Sequence, residues 1–289
     1  IWNAFRLVKS WKTDDKISQP ESSAIAVRWM NEVLKKSTAE IDANFRKFRI
    51  SEALMSTYRL FWDEFSGWYL EIIKPGFKKP VDKVTYEATI TIFDALLHLI
   101  HPFMPFITEE IWQLLSERKD GESIMISRMP SARKFNRELI ARFSFAKDIV
   151  SAIRTIRTEN HLLNRDPVKL LVRAGSESFN TELPVVRKLC NVSDVEFVSG
   201  KQEGAVSFMV GTTEFFIPLS GKMDIESERT RLKSDLEYYR GFLSSVMKKL
   251  DNEKFVQNAP ANVLELERKK KADAEMKIRM LEDSLNALK

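Results

Sequence analysis

The sequence predicts a mainly α-helical protein that ends in an antiparallel coiled-coil hairpin. Helical periodicity fills most of residues 1–118, short β-like runs occur only between 168 and 218, and a heptad repeat occupies the last quarter. Hydrophobic residues make up 44% of the 289 residues, which is enough for packed cores. We therefore divide the chain into a helical bundle at 1–120, a small α+β connector module with a leading helix at 121–221, and a coiled-coil arm at 222–289.

The bundle is predicted from five helical stretches, several of which are bounded by proline or glycine. The stretches cover residues 22–36, 37–48, 50–73, 82–101 and 106–117. Proline stands at the breaks because its ring clashes with the preceding helical turn. The proline-rich segment 101–106 predicts a tight apolar corner, and we expect Thr108 to cap the helix that follows it.

The connector module is predicted from alternating helical and β-like runs. A short extended segment is expected at 122–126 and a helix at 136–159. Strands are then expected at 168–173, 195–198, 205–210 and 213–218, with a helix at 181–189 between the first two.

The arm is predicted from two apolar seams at heptad spacing. The first seam contains Ile225, Leu232, Leu236, Tyr239, Leu243, Val246 and Leu250, and the second contains Leu264, Ala274, Ile278, Leu281, Leu285 and Leu288. Glu267 and Lys271 stand at two positions of the second seam where apolar side chains are expected. The polar segment 252–260 contains a proline, so the two helices should fold back on each other. Such an arm has no room for a pocket, and its function should lie on its surface or at its tip.

Two regions carry an excess of basic side chains. Residues 240–271 hold eight Lys or Arg against four Asp or Glu, and the first sixty residues hold eleven against seven, with Trp2, Trp11 and Trp29 among them. Arginine and aromatic side chains bind unpaired RNA bases, and lysine binds phosphate. The arm surface could equally be a solvated coiled-coil face.

Several motifs resemble class I synthetases, and the arm resembles that of bacterial-type valyl-tRNA synthetases. Residues 252–260, followed by Glu267-Arg268-Lys269, are similar to the C-terminal arm of that family. Residues 97–106 are similar to the corner of the anticodon-binding bundle in the valine, leucine and isoleucine enzymes. The segments 2–6 and 26–30 resemble two stretches that face the anticodon there. Met129-Pro130 stands where the family usually has Trp-Pro.

The resemblance implies that the chain recognises a valine-accepting tRNA. Arg6, Arg28 and Trp29 are then the leading anticodon contacts, and Lys12 and Lys16 are weaker candidates. The arm would touch the outer corner of the tRNA through basic side chains near its tip: Lys248, Lys249, Lys254, Arg268, Lys269, Lys270 and Lys271. The whole enzyme would join valine to tRNA with ATP and magnesium.

Catalytic signatures of the class are not found in the sequence. His-x-Gly-His and Lys-Met-Ser-Lys-Ser are missing, so no catalytic residue, metal ligand or cofactor is assigned to this chain. Cys190 is the single cysteine, which rules out an internal disulfide. The sequence begins in what reads as the middle of a helix, which predicts a fragment of a longer protein.

The remaining expectations concern location and partners. No apolar run is long enough for a membrane span and no signal peptide is recognised, so we expect a cytoplasmic protein without a membrane partner. We also expect a monomer with no DNA partner. Two alternatives stay open: the same region of an isoleucine or leucine synthetase, or a non-enzymatic coiled-coil scaffold. The 252–260 segment and the heptad arm favour valine.

Overall fold

The computed structural model describes residues 1–160, 162–173, 181–199, 204–218, 225–252 and 261–287. Contacts between Cα atoms divide the chain into two compact units, Ile1–Pro218 and Leu219–Lys289. The three-part division with a boundary near residue 120 is not tested by these contacts and stays a prediction.

The first half of the larger unit is a helical bundle. Its elements are α1 (Trp2–Lys9), β1 (Thr13–Asp14), α2 (Glu21–Arg46), α3 (Ile50–Arg59), a π-helix (Leu60–Tyr69), α4 (Leu70–Ile73), β2 (Val81–Asp82), α5 (Lys83–Ile100) and α6 (Pro105–Leu115). The helices predicted at 22–36 and 37–48 form the single helix α2, because no glycine or proline separates them. Thr38 fits inside this helix by donating its hydroxyl hydrogen to the carbonyl of Leu34, at 2.7 Å.

An aromatic stripe at residues 61–72 packs along one side of the bundle core. Phe61, Phe65 and Tyr69 follow each other at four-residue spacing, with ring centroids 5.7 Å and 5.5 Å apart. All three are buried, whereas Trp62 of the same stripe is 58% exposed. The stripe is therefore mainly core.

The corner between α5 and α6 differs from the prediction in one detail. The helix α6 begins at Pro105, so Thr108 lies within its first turns and does not cap it. Proline is favoured at the first helical position because the missing N–H has no helical partner there. The hydroxyl of Thr108 bonds to the carbonyl of Met104 at 2.8 Å and to Nδ1 of His101 at 2.7 Å. Thr108 thus ties the two helices together from inside the corner.

The second half of the larger unit is a helix followed by a four-stranded mixed sheet. Its elements are a 3₁₀ turn (Ile124–Ile126), α7 (Arg137–Glu159), β3 (Val168–Arg173), α8 (Leu183–Cys190), β4 (Val192–Val198), β5 (Ala205–Val210) and β6 (Thr213–Pro218). The strand order is β4-β3-β6-β5, and only the β3–β4 pair is parallel. The helix α8 makes the crossover that a parallel pair requires. The segment 124–126, predicted to be extended, is a 3₁₀ turn because the hydroxyl of Ser123 accepts a hydrogen bond from the amide of Met125.

The helix α7 packs directly on the bundle through an aromatic stack. The rings of Trp29 and Phe143 lie 4.1 Å apart with an interplanar angle of 8°. The ammonium of Lys147 lies 4.6 Å from the Trp29 ring and also pairs with the carboxylate of Glu64. Trp29 is 1% exposed as a result.

A buried arginine joins α7 to the loop before β3 and to the end of α8. The guanidinium of Arg157 donates to the carbonyls of Leu163 and Asp166, each at 2.8 Å, and to that of Cys190 at 2.7 Å. Burial lowers the pKa of Arg157 from its ordinary value. The repeated Ile-Arg pattern of α7 therefore has a structural role at this position.

The smaller unit is an antiparallel pair of helices, as predicted for the arm. The helices are α9 (Ile225–Leu250) and α10 (Ala261–Ala287). Ion pairs join Arg240 to Glu282 at 2.7 Å and Lys249 to Glu267 at 4.0 Å. From the first pair to the second, the residue number rises along α9 and falls along α10, which shows that the helices run antiparallel.

The seam of the arm follows the predicted heptad positions. Leu236, Val246, Ala274 and Leu281 are buried along it. Glu267 also lies in the seam and is 6% exposed, as its position in the repeat indicated. The side chains of Ile225, Leu232 and Leu288 lie outside the described residues. In the described part of the chain, no helix has the length and apolar character needed to cross a membrane.

The buried thiol gives a prediction about reactivity. Burial raises the pKa of Cys190 to about 11 from 9.0, and the thiolate is the reactive form. At pH 8 the folded protein should react with an aromatic disulfide reagent about 100-fold more slowly than the chain in guanidinium, measured by absorbance. Because the folded pKa is the higher, this thiol's contribution to stability is complete below about pH 9 and is lost as pH rises through about 11. Equal rates in the two states would contradict the burial.

The neighbours Trp29 and Arg28 should respond differently to truncation. Trp29→Ala removes the stack on Phe143 and should lower the free energy of unfolding by about 3–5 kcal/mol. Arg28→Ala changes an exposed position and should alter it by less than about 0.5 kcal/mol. Guanidinium unfolding followed by circular dichroism measures both. A loss for Arg28→Ala as large as for Trp29→Ala would show that α2 is oriented differently.

Candidate nucleic-acid interface

The arginines predicted to read bases lie on the solvent faces of α1 and α2. Arg6 is exposed in the last turn of α1, whose other face buries Phe5 and Val8. Arg28 is exposed on α2 between the buried positions Ala26 and Trp29. Each arginine is thus held by a helix whose opposite side is fixed in the core.

The loop between α1 and α2 carries Lys12 and Lys16 on a fixed backbone. The strands β1 and β2 pair in parallel, and the amide of Val81 donates to the carbonyl of Lys12 at 2.8 Å. The carboxylate of Asp14 accepts a hydrogen bond from the amide of Lys16 at 2.9 Å. Both lysine side chains are exposed. Within the described ranges, none of Arg6, Lys12, Lys16 and Arg28 forms an ion pair, so their charges are available to an anion.

Trp29, the third of the leading anticodon contacts predicted from the sequence, is buried in the structure. One face of its ring is covered by Phe143, and the Lys147 ammonium also lies against the ring. With 1% of its surface exposed, the side chain cannot stack on a base unless it leaves the core. Trp29 and the adjacent Met30 both belong to the core, and the contacts of Trp29 with α7 are not visible in the sequence.

A cleft beside Lys12 contains residues that the sequence reasoning missed. It has a volume of about 750 Å³ and lies between residues 7–14 and the loop 74–80. Its lining consists of Leu7, Ser10, Trp11, Lys12, Thr13, Asp14, Lys74, Pro75, Gly76, Phe77, Lys78, Lys79 and Pro80. The sequence did contain a signal for this loop. Phe77, Lys78 and Lys79 lie between Pro75-Gly76 and Pro80, and these breaking residues predict a loop with exposed side chains.

The basic residues of the arm fall into two groups. Lys249 and Lys270 both face Glu267, at 4.0 Å and 2.8 Å, and Lys271 lies 4.0 Å from Glu275. The hydrogen bond from Lys270 keeps the pKa of Glu267 below its ordinary value. These three lysines are therefore partly neutralised by the arm itself.

The second group is free of acidic partners. Lys248, Arg268 and Lys269 are exposed and form no ion pair with any residue that the structure describes. Lys254, also predicted as a contact, lies outside the described residues.

The histidines of the bundle serve the fold. Nδ1 of His98 lies 2.8 Å from the carbonyl of Asp94, and its Nε2 lies 2.6 Å from the hydroxyl of Ser127. His101 contacts Thr108. Among the residues with described positions, no group of three or more His, Cys, Asp or Glu side chains is placed to hold a metal ion.

Comparison with known families matches both regions. Residues 27–172 match the family described as the anticodon-binding domain of tRNA ligase. Residues 224–289 match the family described as the valyl tRNA synthetase tRNA binding arm.

Curated relatives align with the whole chain. The chain is 53% identical over 289 residues to Valine--tRNA ligase of Parabacteroides distasonis and 51% identical over 289 residues to that of Phocaeicola vulgatus. It is 32% identical over 294 residues to Valine--tRNA ligase of Thermotoga maritima. Each alignment covers 100% of this chain and 33% of the relative, so the chain spans about a third of the length of the relatives it matches. The chain belongs to the valyl-tRNA synthetase family, of which it carries the anticodon-binding domain and the tRNA-binding arm.

Proposed function

We propose that this chain supplies the tRNA recognition of an enzyme that joins valine to its tRNA. The bundle holds the anticodon loop and the arm holds the outer corner of the tRNA. ATP and magnesium serve the reaction of the whole protein, which acts in the cytoplasm as a monomer, with no DNA or membrane partner. The observation that carries the proposal is a set of exposed cations that form no ion pair with any described residue: Arg6, Lys12, Lys16 and Arg28 in the bundle, and Lys248, Arg268 and Lys269 in the arm.

The bundle side of the proposal follows from the chemistry of arginine. A guanidinium can donate two parallel hydrogen bonds to a base edge or lie flat on its ring. Arg6 and Arg28 are exposed and anchored by helices, so they can present this geometry to the unpaired bases of an anticodon loop. Lys12 and Lys16 provide point charges for the phosphates beside those bases.

The arm side follows from the electrostatics of phosphate binding. Lysines and arginines that neutralise phosphates release condensed counterions, which gives affinity without base recognition. We assign this role mainly to Lys248, Arg268 and Lys269, because their charges are not balanced within the described part of the arm. Lys249, Lys270, Lys271 and Lys254 complete the proposed contact set in a lesser role.

The choice of valine over isoleucine or leucine rests on the arm. The bundle motifs fit all three enzymes, whereas the matched description of residues 224–289 is specific to valyl tRNA synthetase. The same match favours a tRNA-binding role over a scaffold that binds proteins.

Loss of a base-reading arginine should reduce discrimination between tRNAs. Arg6→Ala and Arg28→Ala should each cost about 1–3 kcal/mol of preference for the valine anticodon over a non-cognate anticodon. Fluorescence titration of this chain with stem-loops of both sequences measures the preference. Arg46→Ala is the matched control, since Arg46 is an exposed arginine of α2 that pairs with Asp42 at 2.9 Å. An equal fall in affinity for both stem-loops would remove these arginines from base recognition.

Neutralising the free cations of the arm should flatten the salt dependence of tRNA binding. The triple change of Lys248, Arg268 and Lys269 to Gln should reduce the slope of log K against log salt by about 0.7–0.9 for each lost phosphate contact. Titrations of full-length tRNA at several salt concentrations give the slope.

The control for this experiment removes the same charge from the same helices. The triple change of Lys249, Lys270 and Lys271 to Gln should reduce the slope less, because these lysines already face carboxylates. Circular dichroism checks that both variants keep their helices. The assignment fails if the first triple variant keeps the wild-type slope, or if the two triple variants reduce it equally.

A further inference from the structure

The loop 74–80 exposes an aromatic ring that has no role in the core. Phe77 is 90% exposed, and neither the bundle nor the sheet uses its surface. Exposed single aromatics are common and mean little alone. Phe77 stands out because it borders the cleft of about 750 Å³ that also contains Lys12, a residue already predicted to bind the anticodon loop.

The backbone of this loop is fixed at both ends. The amide of Lys74 donates to the carbonyl of Leu70 at 2.9 Å, where α4 ends. On the other side, Val81 bonds to Lys12 at 2.8 Å and β2 pairs with β1. Backbone hydrogen bonds therefore hold the loop that carries Phe77 beside the loop that carries Lys12, and both border the cleft.

The tip of the loop adopts a conformation that its sequence does not favour. The amide of Lys79 closes a turn on the carbonyl of Gly76 at 2.9 Å, and Lys78, the third residue of the turn, has φ of 58°. That position is normally filled by glycine or asparagine, since a side chain is strained there. The turn keeps Phe77 and Lys78 at its apex, with the Lys78 ammonium 5.3 Å from the ring centroid.

The cleft combines an apolar floor with positive charge. Four lysines and one aspartate belong to its lining, together with Leu7, Trp11 and two prolines. Lys74 lies 3.5 Å from Glu71, whereas Lys12, Lys78 and Lys79 form no ion pair with residues in the described ranges. An aromatic face beside unpaired lysines is the arrangement that binds single-stranded nucleic acid, by stacking on the base and attracting the phosphate. The volume falls within the range of small-ligand sites, which suits one nucleotide.

We propose that this cleft receives one unpaired nucleotide of the anticodon loop, with its base stacked on Phe77 and its phosphate held by Lys12, Lys78 and Lys79. The inference rests on the proposed function, because the anticodon loop is the source of the unpaired base. It adds a binding residue and a subsite from the loop 74–80, a region that the two anticodon-facing motifs of the sequence do not include.

The test compares Phe77 with a phenylalanine of equal exposure elsewhere on the bundle. Phe77→Ala should weaken binding of this chain to the valine anticodon stem-loop by about 5- to 150-fold, the range for loss of one base stack. Phe77→Trp should keep the affinity because it preserves a stacking face. Phe48 is 89% exposed and follows the C-terminal end of α2. The cleft is lined by residues 7–14, which precede the N-terminal end of α2. Since α2 has 26 residues, its two ends are ~39 Å apart. Phe48→Ala should therefore leave the affinity unchanged.

A second readout identifies the stacked base directly. Stem-loops carrying 2-aminopurine at each loop position in turn report stacking by quenching of fluorescence. One position should be quenched by the wild-type chain and by Phe77→Trp, and should stay bright with Phe77→Ala. A base-paired duplex of the same stem should show no effect of Phe77→Ala.

The outcomes separate this subsite from the proposed function. If Phe77→Ala binds and quenches like the wild type while Arg28→Ala loses discrimination, the subsite is wrong and anticodon recognition stands. An equal loss with Phe48→Ala, or with the duplex, also overturns the subsite. If the wild-type chain binds no stem-loop, both proposals fall.

Discussion

The stack of Trp29 on Phe143 is the contact on which the proposed interface depends. It joins α2 of the bundle to α7, and the Lys147–Glu64 pair closes over it. Neighbouring residues of an α-helix point about 100° apart, since each turn holds 3.6 residues. Arg28 lies on the side of α2 away from its buried face, which includes Ile25, Ala26, Trp29, Met30 and Val33. A change in the packing of α7 would rotate α2 and move the arginine proposed to read a base.

Rigid backbone supports the loop side of the interface in the same way. Lys12 and Phe77 are 65 positions apart in the sequence, yet the β1–β2 pairing places their loops at one cleft. Side chains on a fixed backbone lose less conformational freedom when a ligand binds. The strained turn at Lys78 fits this view, because local strain of that kind persists where the surroundings hold the backbone in place.

The arm uses its charges for two different purposes. Glu267 lies in the seam among apolar neighbours and is bonded to Lys270, with Lys249 of the facing helix at 4.0 Å. A buried carboxylate contributes little to stability but can fix the register of paired helices. The lysines that face Glu267 therefore serve the helix pair. The proposed phosphate contacts are Lys248, Arg268 and Lys269, which pair with no described residue.

The sequence predicted most of the secondary structure. The helices of the bundle, the four strands and the two arm helices lie close to where periodicity and proline placed them, because these signals act within a few residues. It also determined the seam position of Glu267 and, through its motifs, the family. Only the tertiary structure decided which side chains are available for binding. The sequence predicted that Trp29 contacts the anticodon, but α7 covers its ring. Phe77 was not selected from the sequence, because only the pairing of β1 with β2 places its loop beside Lys12. The burial of Trp29 and the Lys249–Glu267 pair depend on contacts between distant segments, and local pattern carries no information about those contacts.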